Sequence, residues 1–127
     1  MTDKKLKMQS YRDLEVWQQS MALTLLVYRI TQQFPREEQF GLTSQLRRAA
    51  VSVPANIAEG YGRLNRKEYV QFLGIARGSN CEIQTLIEIA QGLSFCEPDK
   101  LREAHAQSHK IGQMLFRLIA SLRSIAN

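Results

Sequence analysis

Residues 98–125 read PDKLREAHAQSHKIGQMLFRLIASLRSI, and the fold follows from how their apolar positions are spaced. Leu101, Ala104, Ser108, Ile111, Leu115, Leu118, Leu122 and Ile125 recur in alternating steps of three and four. Side chains so spaced share one face of an α-helix and form the seam by which a helix packs in a bundle. Pro98 suits the first helical turn, where its missing N–H has no partner to lose. No stretch of strand-like alternation competes with this pattern.

Three short breaks divide the rest of the chain: residues 34–41, 60–65 and 94–98. Each combines glycine or proline with polar residues, and none is long enough to link separate domains. Helices are predicted over residues 11–33, 43–59, 66–93 and 98–125. Ser10 is placed to cap the first, with Asp13 three residues on. Gly60 and Gly62 are placed to stop the second. Asn65 and Glu68 form a capping pair for the third. Four helices joined by short loops make an all-α, antiparallel up-down-up-down four-helix bundle. A single domain over residues 1–127 is expected, with residues 1–9 a flexible basic tail.

Within that frame Pro54 predicts a kink or break in the second helix, because it removes a hydrogen bond and collides with the preceding turn. Gly74 and Gly78 are costly inside the third helix and predict a close approach of backbones. Pairing the second and third helices about a turn near Leu64 sets Pro54 opposite Gly74 and Ala50 opposite Gly78. The same register predicts an ion pair between Arg47 and Glu82. The first helix is apolar on more than one face. Leu14, Trp17, Met21, Leu25 and Tyr28 form one stripe, with Leu23, Leu26, Val27 and Ile30 largely outside it. A bundle buries one stripe per helix, so the surplus predicts a homo-oligomer.

The 127 residues suffice for one hydrophobic core, and 44% hydrophobic with 23% charged residues is an ordinary globular composition. No apolar run approaches the about 20 residues of a membrane span, and the start lacks the apolar core of a secretory signal. A cytoplasmic protein with no membrane partner is expected. If Cys81 lies on a helix running to Leu93, about 18 Å separates it from the helix end. The short return to Cys96 cannot readily bring the Cα atoms within the roughly 7 Å of a disulfide, so two free thiols are expected.

Catalytic constellations are missing from the pattern. His105 and His109 share a helix face, but neither a cysteine nor an acidic residue is placed to complete a metal site. Ser79 and Cys81 have no local histidine to activate them. Gly60-Tyr-Gly62 follows no strand and lacks the phosphate-loop spacing. Glu37 and Glu38 read as a solvated loop pair. No enzyme, metal or cofactor is expected.

Charge distribution says more. The net charge is +5, which suits a polyanionic partner. In an up-down-up-down bundle the N-terminus, the second turn and the C-terminus share one end. That end gathers Lys4, Lys5, Lys7, Arg12, Arg63, Arg66, Lys67, Arg117 and Arg123 against Asp3, Asp13, Glu15, Glu59 and Glu68. At the opposite end Arg29, Arg36, Lys100 and Arg102 meet six acidic residues: Glu37, Glu38, Glu88, Glu97, Asp99 and Glu103. Lys4, Lys5, Lys7, Arg12, Arg63, Arg66 and Lys67 are therefore the candidate contacts to an RNA or DNA backbone. Only Tyr11 and Tyr61 are near enough to stack on bases, so weak sequence preference is expected.

The runs DLEVWQQSM, FPREEQFGLTSQLRRAAVSVPANIAEGYGR and KEYVQFLGIARGSNCEI resemble the four-helix-bundle proteins encoded in intervening sequences of bacterial 23S rRNA genes. That family is grouped with the accessory variability proteins of diversity-generating retroelements. The resemblance covers about residues 10–95. It centres on Pro54, Asn56, Glu59, Gly60, Arg77, Gly78 and Glu82. The chain departs from the usual pattern at Asn80, where an apolar residue is common, and at Gln84, where a glutamate is. The resemblance implies a homopentameric ring without established catalytic activity, and, for the retroelement members, binding to nucleic acid and a reverse transcriptase. The expected activity is nucleic-acid binding by a non-enzymatic oligomer. The alternative is a protein-interaction scaffold without nucleic-acid binding.

Overall fold

The computed structural model describes residues 8–125. A 3-10 turn at Tyr11–Asp13 leads into α1 (Glu15–Thr31), and a second at Arg36–Glu38 into α2 (Leu42–Tyr61). They are followed by α3 (Arg66–Leu93) and α4 (Pro98–Ile125). α2 packs on α1 and α3, and α4 on α3 and α1, with no contact across either diagonal. The helices therefore stand as a closed square. Contacts that advance on one helix while receding on the next make neighbours antiparallel. In α3 and α4, Arg77 meets Phe116, Asn80 meets Ser108 and Glu88 meets His105. The chain is an all-α four-helix bundle.

Its helix ends are set by local hydrogen bonds. The Ser10 hydroxyl accepts the Arg12 N–H at 3.0 Å, while Asp13 Oδ2 accepts from Gln9 N at 2.9 Å and Ser10 N at 3.3 Å. This capping box closes the 3-10 turn rather than α1. Leu14 is extended (φ −76°, ψ 125°), so the helix expected from residue 11 starts at Glu15. The extended step buries Leu14 in the core, with Tyr11 packed against it. Asn65 Oδ1 accepts the Glu68 N–H at 2.8 Å and starts α3 as predicted. α3 ends where Ser94 turns left-handed (φ 56°) and the Phe95 N–H reaches back to Ala90 O at 3.1 Å. Phe95 then packs edge-on against Phe34, 5.6 Å between centroids, closing that end of the core.

Four expectations are corrected. The first concerns Pro54, which does not break α2: the helix runs through it from Leu42 to Tyr61. Lacking an N–H, Pro54 cannot bond the carbonyl of Ala50 four residues earlier. That oxygen is met instead by the Thr24 hydroxyl of α1 at 3.0 Å, which also lies 2.9 Å from Ser20 O.

The second concerns the two apolar groups of α1, which the core divides otherwise than the spacing suggests. Leu23, Val27 and Ile30 are buried with Val16, while Met21, Leu25 and Tyr28 are 37%, 52% and 41% exposed. Leu14 is buried and Trp17 half-buried. The polar residues on the inner face remain satisfied because their hydroxyls bond to carbonyls within the helix. Ser20 donates to Trp17 O at 2.9 Å and Thr31 to Val27 O at 2.7 Å.

The third concerns the glycines. Gly74 and Gly78 do not face α2; both are exposed, and a Cβ built on either meets nothing within 4 Å. The buried stripe of α3 is Leu73, Ala76, Asn80, Ile83, Ile87 and Ala90. At about 100° per residue, positions one and five beyond Leu73 point away from it. α2 and α3 do come close, but at Gly60, where a Cβ would lie 2.8 Å from Phe72 Cβ and 3.2 Å from Tyr69 O. In this register Ser52 meets Ser79, their hydroxyls 2.8 Å apart.

The fourth concerns Arg47, which turns toward α1 rather than to Glu82. Its Nε donates to Thr31 Oγ1 at 2.8 Å, and the guanidinium sits 4.6 Å from the Tyr28 ring centroid.

The α4 seam is buried at Leu101, Ala104, Ser108, Ile111 and Leu115, then passes to Ile119, with Leu118 and Leu122 half-buried and Ile125 exposed. That drift is what a straight 3.6-residue helix does to a 3.5-residue repeat. One polar pair interrupts the core. Asn80 Nδ2 donates to Ser108 O at 2.8 Å, and the Ser108 hydroxyl donates to Asn80 Oδ1 at 2.9 Å. Gly112 leaves room for the amide, since a Cβ there would stand 3.1 Å from Asn80 Nδ2.

Urea unfolding of single variants tests these assignments. Gly60→Ala should cost about 1–3 kcal/mol, because the neighbouring backbone has to move. Gly74→Ala and Gly78→Ala should each add about 1 kcal/mol of stability, since open helical glycines gain by acquiring a Cβ. Equal effects at all three sites would refute the placement.

Asn80→Ala should cost about 1–3 kcal/mol by removing the buried amide that pairs with the Ser108 hydroxyl and carbonyl. A neutral result would mean that the pair contributes nothing.

Candidate nucleic-acid interface

The α2–α3 turn carries Arg63, Arg66 and Lys67 out from one end of the bundle, and it is short because both helices run nearly to it. α2 ends at Tyr61 with Gly62 as its cap, and α3 restarts at Arg66. Beneath the turn Tyr61 packs edge-on to Tyr69 at 6.0 Å between centroids. Burial, and then the neighbouring Tyr61, pushes the Tyr69 phenol up to about 12, so it stays protonated at neutral pH.

The candidate residues do not behave alike. Arg63 is largely committed within the turn. Its Nη2 lies 2.9 Å from Glu59 Oε2 and its Nε 3.9 Å from Glu68 Oε1, with the guanidinium 4.7 Å from the Phe72 ring centroid. Arg12 lies over its neighbour Tyr11, 4.7 Å from the ring centroid. Its 3-10 turn touches α1 and α2 but neither α3 nor α4. Arg66 and Lys67 are exposed and enter no ion pair among the described residues. They are brought together with Arg123 around a cavity of about 530 Å³ that Val70, Gln71 and Leu122 complete, with no carboxylate in its lining among the described residues. Lys4, Lys5 and Lys7 lie outside the described residues.

Charge counting places Arg123 at this end, but the candidate set drawn from the sequence omits it. The signal is present there: the α4 seam passes through Leu122, which places the next residue at the edge of that seam. The expected stacking aromatics are otherwise engaged. Tyr61 faces Tyr69, and Tyr11 packs edge-on to Trp17 at 5.3 Å between centroids.

The remaining constellations are structural or separate. His105 Nε2 lies 2.9 Å from Glu88 Oε2, and the described residues contain no group of three or more His, Cys, Asp or Glu able to hold a metal. Cys81 and Cys96 are both free. Burial pushes the Cys96 thiol up, away from the reactive thiolate form. No helix among the described residues is long and apolar enough to cross a membrane.

A closed square of four antiparallel helices with an open cationic cluster at one end defines a small helical-bundle protein whose prominent feature is that charged end. The chain belongs to the family described as 23S rRNA-intervening sequence protein, which it matches over residues 12–117. It is also similar to a solved protein of unknown function from the S23 ribosomal protein family of Bacteroides thetaiotaomicron VPI-5482. The two share 20% identity over 83% of this chain and 95% of that one, with a TM-score of 0.76. That likeness extends the fold to a distant sequence. No curated protein matches the chain.

Proposed function

We propose that this chain is a non-enzymatic, cytoplasmic, oligomeric bundle that binds the phosphate backbone of RNA or DNA with little sequence preference. The observation that carries the reading is the group Arg66, Lys67 and Arg123, open to solvent around one cavity with no carboxylate among the described residues that line it. Unpaired cations at that density attract a polyanion and release its condensed counterions. Engagement of Tyr11 and Tyr61 in packing supports weak sequence preference, because each is half-buried and already held edge-on by another aromatic ring. Family membership is consistent with a role near ribosomal RNA genes. The resemblance to retroelement accessory proteins adds a reverse transcriptase as the protein partner.

Oligomerisation is supported by the outer face of α1 and α2. Met21, Leu25 and Tyr28 are exposed there, with Val51 of α2 44% exposed. Thr24 and Arg47 link the two helices across that edge. An apolar strip of this kind is a contact surface for another chain, and a second copy is the simplest occupant. A ring of copies in a common orientation gathers the cationic ends on one side. The same strip also favours the alternative of a protein-interaction scaffold, for which salt is the discriminator.

Two measurements check the reading. The double variant Arg66→Glu, Lys67→Glu should weaken oligonucleotide binding across sequences and flatten its dependence on salt between about 50 and 200 mM. Arg63→Ala should have the smaller effect, because that charge is already met by Glu59 and Glu68. Undiminished binding by the double variant, or salt-independent binding by the wild-type chain, would leave the scaffold reading in front.

Native mass spectrometry should give a discrete oligomer, five subunits by the family resemblance, and Leu25→Glu should dissociate it. A monomer at micromolar concentration would remove the ring.

A further inference from the structure

The cavity between Arg66 and Arg123 does not end at the pole. Two more run on from it between α3 and α4, of about 560 and 430 Å³. The first shares Val70 and Arg123 with the polar cavity, and the two share Arg77, Cys81 and Phe116. Together they make one groove. It follows α3 from Arg66 to Gln84, a length of about 27 Å at the helical rise.

Its lining is one-signed. Arg77 and Arg117 join Arg66, Lys67 and Arg123, and among the described residues no aspartate or glutamate lines any of the three cavities. None of the five cations is in an ion pair among the described residues.

Gly74 and Gly78 lie in its middle section, where packing within the chain does not require them. Glycine weakens a helix interior, and its usual compensation is to let another backbone come close. Here no backbone among the described residues does so. Opposite them Phe116 is 57% exposed, with the Arg77 guanidinium 5.4 Å from its ring centroid. The guanidinium stands over one side of that ring, and an exposed aromatic paired with an arginine can stack a planar base.

We propose that this groove holds a single strand of nucleic acid, its phosphates along the five cations and a base against Phe116. The proposal rests on the polyanion reading above and gives it a place and a strand state. Packed helices lie about 8–10 Å apart, narrower than the about 12 Å major groove of a duplex, so paired nucleic acid would meet only the rims. A base stacked on Phe116 has also to be unpaired.

The test is fluorescence anisotropy of the full chain with labelled oligo(dT), oligo(rU) and a mixed-sequence duplex, each of about 20 nucleotides or base pairs, at low salt. The wild-type chain should bind the single strands about tenfold more tightly than the duplex. Filling the floor with Gly74→Leu and Gly78→Leu changes no charge and suits a helix. It should weaken single-strand binding about tenfold, with circular dichroism unchanged. Phe116→Ala, at an exposed position that the core does not need, should weaken it about fivefold or more. Equal or tighter duplex binding would overturn the proposal. So would undiminished single-strand binding in both the filled and the Phe116→Ala variants. If Arg66→Glu with Lys67→Glu still abolished that binding, the pole would stand and the groove would fall. A filled variant that lost subunits in native mass spectrometry but kept its nucleic-acid affinity would make the groove a subunit contact instead. Failure of the wild-type chain to bind any of the three probes would sink both readings.

Discussion

A proline in the middle of a packed helix leaves one carbonyl without its donor, and the bundle depends on how that oxygen is met. Here Thr24 of α1 supplies the hydroxyl that Pro54 of α2 cannot replace with an N–H. The bond satisfies the orphaned group and ties α1 to α2 at mid-height. With α2 continuous, its last turn carries Gly60 to the closest crossing with α3, against Tyr69 and Phe72. That crossing in turn fixes where the α2–α3 turn ends and where Arg66 and Lys67 emerge. A local problem of backbone hydrogen bonding in α2 is thus linked, through one crossing, to the position of the cationic end.

Features set by residues close in sequence are legible in the sequence itself. Asn65 with Glu68 and Ser10 with Asp13 announce their caps, and the three-four spacing after Pro98 announces α4. Features set by which neighbour a side chain meets are not. α1 carries two apolar stripes, and spacing alone gives no reason to pass over the one containing Met21, Leu25 and Tyr28. The core takes the other because Ser20 and Thr31 satisfy their hydroxyls within the helix and can be buried at little cost. Small residues invite a pairing of Gly74 with Pro54, yet the glycine that matters at that interface is Gly60, inside the helix it was expected to stop.

The candidate site is legible in the same partial way. Charge counting locates the cationic end, because the topology of a short-looped bundle determines which turns lie together. It cannot tell that Arg63 is held by two glutamates while Lys67 stays open, since that depends on side-chain geometry within a few ångströms. Nor can it place Arg77 beside Phe116, because the relation between α3 and α4 is fixed by packing across a long stretch of intervening chain. The charge that matters at this end is therefore the fraction left unpaired, not the formal sum.

The Asn80–Ser108 pair has a consequence for how the chain reaches its structure. Antiparallel bundles have mostly local contacts and can collapse quickly, but apolar seams tolerate sliding by a turn. Any arrangement of α3 and α4 slipped in that way would trap an amide and a hydroxyl in hydrocarbon without partners, a penalty that hydrophobic contacts elsewhere would not cancel. Two modest polar side chains, 28 residues apart in the chain, thereby favour one register of α3 against α4 over its neighbours.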